Sequence, residues 1–101
     1  MITCSDPKVL YIVVNAGFAD DIVDIIHEAG AGGATIINAR GIGSMHKCIM
    51  GIMVDSEKEI VFSLATEETA YKIAEMVKDK AGVNTPASGI SYIMPVDRVI
   101  G

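Results

Sequence analysis

The sequence predicts an α+β sandwich: one four-stranded antiparallel sheet, element order βαββαβ, with two helices on one of its faces. Three observations predict it. Two stretches with helical apolar spacing alternate with runs rich in β-branched residues, so the chain reads as two strand–helix–strand halves in tandem. Its 101 residues leave room for one domain and little more. Each helix must cross over right-handed to return its strand to the sheet, which places both helices on the same side.

The elements follow in order. Residues 9–14, Val-Leu-Tyr-Ile-Val-Val, form a continuous apolar run that predicts a strand covered on both faces or lying at a subunit contact. Asn15-Ala16-Gly17 breaks it. Asp20 and Asp21 suit a helix N-terminus, and Ile22, Val23, Ile25, Ile26 and Ala29 share one helical face before Gly30 stops it. A loop with Gly30, Gly32 and Gly33 leads to a second strand at 35–39. Its continuation, Arg40-Gly41-Ile42-Gly43, is too rich in glycine to prolong regular pairing.

Residues 42–59 then separate it from a third strand at 60–64, a long gap for a compact domain. The apolar part of the gap, 49–54, predicts a hairpin arm, and the aperiodic tip at 44–47 predicts mobility. Thr66 is an N-cap with Glu67 and Glu68 in the first turn, and Ala70, Ile73, Ala74, Val77 and Ala81 line one face. Lys78, Lys80 and Gly82 close that helix. A turn-rich stretch at 83–89, a strand at 90–94 and an extended tail at 96–100 complete a ferredoxin-like order. One sheet face is left bare in a single copy, and strands this apolar require it to be buried, so the chain is expected to self-associate.

Composition narrows the function classes. Eight basic against thirteen acidic residues give a formal net charge of −5, a poor match for a phosphate backbone. Few aromatics and no Trp argue against base-stacking platforms. An apolar fraction of 50% and a mean hydropathy of +0.43 exclude a disordered segment. Cys4 and Cys48 do not make a disulfide framework, and no run is long enough for a membrane span or a signal-peptide core, so the expected compartment is the cytoplasm.

Three stretches resemble the P-II-like signalling proteins. The first runs from His27-Glu28-Ala29-Gly30 through Gly32-Gly33-Ala34-Thr35-Ile36 to Arg40-Gly41-Ile42-Gly43. It is similar to the end of the family's first helix, its glycine turn and its second strand. The second, within 42–59, stands where the family inserts its T-loop. The third pairs Ala87-Ser88-Gly89, similar to the B-loop within an 82–90 turn, with the C-terminal pattern Val96-Asp97-Arg98-Val99-Ile100. The resemblance implies a single P-II-like domain over 1–101 and a homotrimer with effector clefts between subunits. Adenine nucleotides commonly occupy those clefts, and the loop docks on a membrane transporter or metabolic enzyme.

Carried onto this chain, the resemblance places Val13, Thr35, Arg40, Gly41, Ile42 and Gly43 of one subunit opposite Ala87, Ser88 and Gly89 of its neighbour. Glycines let backbone N–H groups approach an anion closely. Ser44, Met45, His46, Lys47, Cys48, Met50 and Met53 would form the docking loop. The departures also count. Members that hold ATP usually carry a Lys after the second B-loop glycine, where this chain has Ile90, and no Arg follows Arg98. Fewer cations mean weaker triphosphate binding. The expected effector is therefore ATP, ADP, AMP, a less charged nucleotide, another small anion or none at all, and a short loop without Tyr leaves no site for uridylylation.

Other readings stay open at this level. Gly41-Ile42-Gly43 lacks the third glycine and following helix of a dinucleotide fingerprint, and bare glycines can simply permit a bulge. Met45, His46 and Cys48 could bind copper(I), giving a soft-metal or redox sensor as the alternative, although Met50 and Met53 also suit adaptable docking hydrophobes. Asp24 and His27 read as a solvated helix face. No nucleophile–base constellation points to an enzyme.

Overall fold

The computed structural model describes residues 7–41, 48–49, 52–53 and 56–101, and the side chains of all of these except 48, 49, 52, 53 and 56. The elements are β1 (Pro7–Asn15), α1 (Ala19–Glu28), β2 (Thr35–Gly41), β3 (Cys48–Ile49), β4 (Ile52–Met53), β5 (Ser56–Thr66), α2 (Glu67–Ala81) and β6 (Ile90–Pro95). β1, β2, β5 and β6 form one sheet in the order β2-β5-β1-β6, and every neighbouring pair is antiparallel. β3 and β4 pair separately, Cys48 opposite Met53, as a short hairpin that begins one residue before the 49–54 arm that the sequence predicts. Neither described helix is long and apolar enough to cross a membrane.

The core lies between the sheet and the helices. Leu10, Ile12 and Val14 of β1 are fully buried, with Ile22 and Ile26 of α1, Val61 of β5, and Ile73 and Val77 of α2 around them. Each such aliphatic side chain contributes about 1.5–3 kcal/mol relative to staying in water. β1 therefore departs from the expectation of cover on both faces. Its residues alternate, with Val9, Tyr11 and Val13 only half-buried on the far side, because α1 and α2 cover one face of the sheet.

Two strands run further than the sequence predicts. β5 begins at Ser56 rather than at 60, and β2 continues through its glycine to Gly41, pairing Arg40 with Glu57 and Gly41 with Ser56. Glu57, Lys58 and Glu59 look like loop residues in sequence, but at the end of a sheet Glu57 stays exposed, Lys58 reaches the Asn15 side chain and Glu59 reaches backbone N–H groups. Beyond Pro95, where the sequence predicts an extended tail, no strand forms among the described residues, and Val96 is tied back by its N–H to the Pro7 carbonyl at 3.4 Å.

The helix ends explain why these segments stop where they do. Thr66 caps α2 through its hydroxyl, which accepts from the Thr69 N–H at 3.3 Å. At α1 the N-cap residue, Phe18, supplies no side-chain cap. Glu59 of β5 does so from across the fold, accepting from the N–H of Gly17 at 2.6 Å and of Ala19 at 3.4 Å. Gly30 ends α1 in the left-handed region at φ 91°, as expected. Gly82 does not: its φ is −73°, and a Cβ there would collide with the Lys78 carbonyl, so its reason is space.

Candidate functional site

The bare face of the sheet is built by alternation. Every second residue of each strand points away from the helices, and register aligns them in rows. One row is Thr35, Phe62, Tyr11 and Tyr92; the next is Ile37, Ile60, Val13 and Ile90; a third is Leu64, Val9 and Met94. Tyr11 and Phe62 meet edge to face at 5.0 Å. Ile37, Leu64, Ile90, Tyr92 and Met94 are each 41–52% exposed, an apolar surface too continuous for an ordinary solvated face.

Val13, Thr35 and Gly41 all lie on this open side, while Arg40 alternates onto the helix side opposite Glu57. Thr35 and Gly41 occupy the two ends of β2, on the order of 20 Å apart at strand rise. A groove of about 1020 Å³ adjoins Thr35, bounded by Gly32, Gly33, Phe62, Leu64 and Arg98. Ile42 and Gly43 lie outside the described residues, as do Ser44, Met45, His46, Lys47 and Met50 of the expected docking loop. Cys48 and Met53 are backbone partners in the β3–β4 hairpin. Two members of the soft-metal alternative thus fall outside the described residues, among which no group of three His, Cys, Asp or Glu could hold a metal.

The 82–89 turn is fixed by packing and backbone bonds. Ala87 is buried in the core, so only its backbone could meet a ligand. Ser88 has a left-handed backbone at φ 48°, and its N–H donates to the Thr85 carbonyl at 3.0 Å. Gly89 donates to the Ala81 carbonyl at 2.7 Å; a Cβ there would strike that same carbonyl and press on Val14 and Val77. β2 and β6 are opposite edges of the sheet, three strand spacings apart, or about 14 Å. Within one chain the β2 residues of the expected cleft therefore do not reach the 87–89 turn, whereas Val13 lies beside it, paired with Ile90 of β6.

Sequence reasoning missed the polar junction at the end of β1. The Asn15 N–H donates to the Ala87 carbonyl at 2.8 Å, and its side-chain Nδ2 donates to the Pro86 carbonyl at 2.8 Å. Lys58, directly opposite Asn15 on β5, donates from Nζ to Asn15 Oδ1 at 2.6 Å. Asn15 read as a strand break and Lys58 as loop; only the strand register, invisible without the partner strand, brings them together.

Residues 7–101 match the family model described as nitrogen regulatory protein P-II. No curated protein matches the chain. Among solved structures it is similar to a PII-like signaling protein from Thermus thermophilus, with a TM-score of 0.69 and 23% identity over 93% of this chain and 91% of that one. It is also similar to B. subtilis GlnK in a complex with ATP, with a TM-score of 0.71 and 13% identity over 94% and 85% of the two chains. A further B. subtilis GlnK structure gives 0.67 and 13% over 92% and 87%. At these identities the structural likenesses speak for the fold.

Proposed function

The chain belongs to the nitrogen regulatory protein P-II family, and from that premise we propose that it is a trimeric regulator, not a catalyst. In this reading three copies bury their apolar sheet faces together, and a small effector binds in each cleft between neighbours. Val13, Thr35, Gly41, Ile42 and Gly43 come from one copy, and the backbone of Ala87, Ser88 and Gly89 from the next. Arg40 stands at the rim from the helix side. The 44–55 segment is the element that meets a partner, a transporter or metabolic enzyme.

One observation carries the reading. The β2 residues of the expected site and the 87–89 turn that leads into β6 lie at opposite edges of one sheet, whose helix-free face is largely apolar. Heterologous contact between such edges closes a ring and completes a pocket that a single copy lacks. The B. subtilis GlnK structure with ATP supports an adenine nucleotide as the effector class.

The cleft is short of cations for a triphosphate. Ile90 follows the turn, 47% exposed beside Val13, and among the described residues Lys58 is a cation at this end of the open face, already bonded to Asn15. The preferred effector therefore carries less charge than ATP. Calorimetric titration with ATP, ADP and AMP is the test, with AMP or ADP expected to bind at least as tightly as ATP. Gly41→Val should weaken that binding and leave the assembly mass unchanged. No heat with any of the three nucleotides would refute the adenine-nucleotide assignment.

A further inference from the structure

The junction at Asn15 does something that neither strand pairing nor turn formation requires. One planar amide joins two segments that are distant in sequence, the 85–89 turn and the first residues of β5. Its orientation is dictated by chemistry. A lysine ammonium can only donate, so Oδ1 must face Lys58; a proline carbonyl can only accept, so Nδ2 must face Pro86. The two bonds share one conjugated group, so each polarises and aligns the other. The neighbouring backbone strengthens the tie, with Ala16 N–H donating to the Glu57 carbonyl at 3.1 Å and Asn15 N–H to the Ala87 carbonyl.

We propose that Asn15 is a positioning residue that couples the 85–89 turn to the base of β5, and so to the β3–β4 hairpin that precedes it in the chain. Movement of the Pro86 carbonyl turns the Asn15 amide, and the amide either holds Lys58 or releases it. The junction stands on the hydrogen bonds alone. What it transmits, the presence of an effector beside Ser88 and Gly89, rests on the regulatory reading above.

The two arms can be cut separately. Asn15→Asp keeps an acceptor for Lys58 but has no hydrogen for Pro86, and Lys58→Met removes the other partner while leaving the amide intact. The measurement is amide hydrogen exchange by nuclear magnetic resonance on the ligand-free, full-length protein. Residue 15 and Ser88, whose N–H groups donate to Ala87 and Thr85, are the reporters. In the wild-type background Lys58→Met is expected to speed exchange at both by about threefold or more, the range of coupling between residues in one network. In the Asn15→Asp background the same substitution should add nothing further. An equal rise in both backgrounds, or none in the wild type, overturns the proposal.

A second arm separates this inference from the effector reading. Titration with AMP, ADP and ATP should shift the backbone amides of the β3–β4 hairpin in the wild type. In Asn15→Asp it should leave them still, at an affinity within about threefold. A variant that binds with its hairpin still responding overturns the role of Asn15. Failure of the wild type to bind overturns the effector assignment, while the ligand-free comparison still decides Asn15.

Discussion

Ser88 is the one described residue other than glycine with a left-handed backbone, and it lies beside Gly89, one of two closely packed glycines of the 82–89 turn. A left-handed conformation costs an L-residue about 1–2 kcal/mol, and β-branching at the position adds to that. Ser88→Val should therefore destabilise by about 1–2 kcal/mol, while Ser88→Gly stays within about 1 kcal/mol of wild type, both read from denaturant unfolding. Gly89→Ala meets backbone rather than a yielding side chain and should cost more than Gly30→Ala, whose Cβ enters open space and whose penalty is the positive φ alone. Equal losses at the two glycines would contradict the packing explanation. Gly30 was legible as a helix stop, but Gly82 and Gly89 were not legible as close-approach positions. Glycine in sequence does not say whether it serves for its φ or for its missing side chain.

At the scale of elements, α1 and α2 are started by different means. α2 carries its own cap, so Thr66→Ala should cost about 1 kcal/mol. α1 borrows its cap from Glu59, a charged acceptor of two backbone N–H groups, and Glu59→Ala should cost about 1.5–3 kcal/mol in the same unfolding measurement. A smaller loss at Glu59 than at Thr66 would count against the cross-element cap. The contrast shows what a sequence can disclose. Thr66-Glu67-Glu68 signals a helix start within a single turn, and helical apolar spacing disclosed both helices. Glu59 acts over a separation of forty residues or more and carries no local signal. The same limit explains the strand ends: the charged 57–59 stretch reads as loop until β1 and β2 lie beside it.

For the whole molecule, the decisive feature is the apolar side of the sheet that no helix covers, with Val9, Tyr11, Val13, Phe62, Tyr92 and Met94 arranged in rows. A charge placed at its centre should split the proposed trimer without touching the core beneath, because Tyr11 alternates with the buried Leu10 and Ile12. The tandem strand–helix–strand order and the bare apolar face were legible from the β-branched runs. How copies would meet in the proposed trimer was not, because edge pairing depends on surfaces brought together only by folding. Sedimentation equilibrium at micromolar concentration tests the proposal most directly. Three times the chain mass of 10.7 kDa is expected for the wild type, with Tyr11→Lys reduced to a single folded chain. A wild-type mass of 10.7 kDa would leave the shared clefts without their second wall and contradict the proposed mode of regulation.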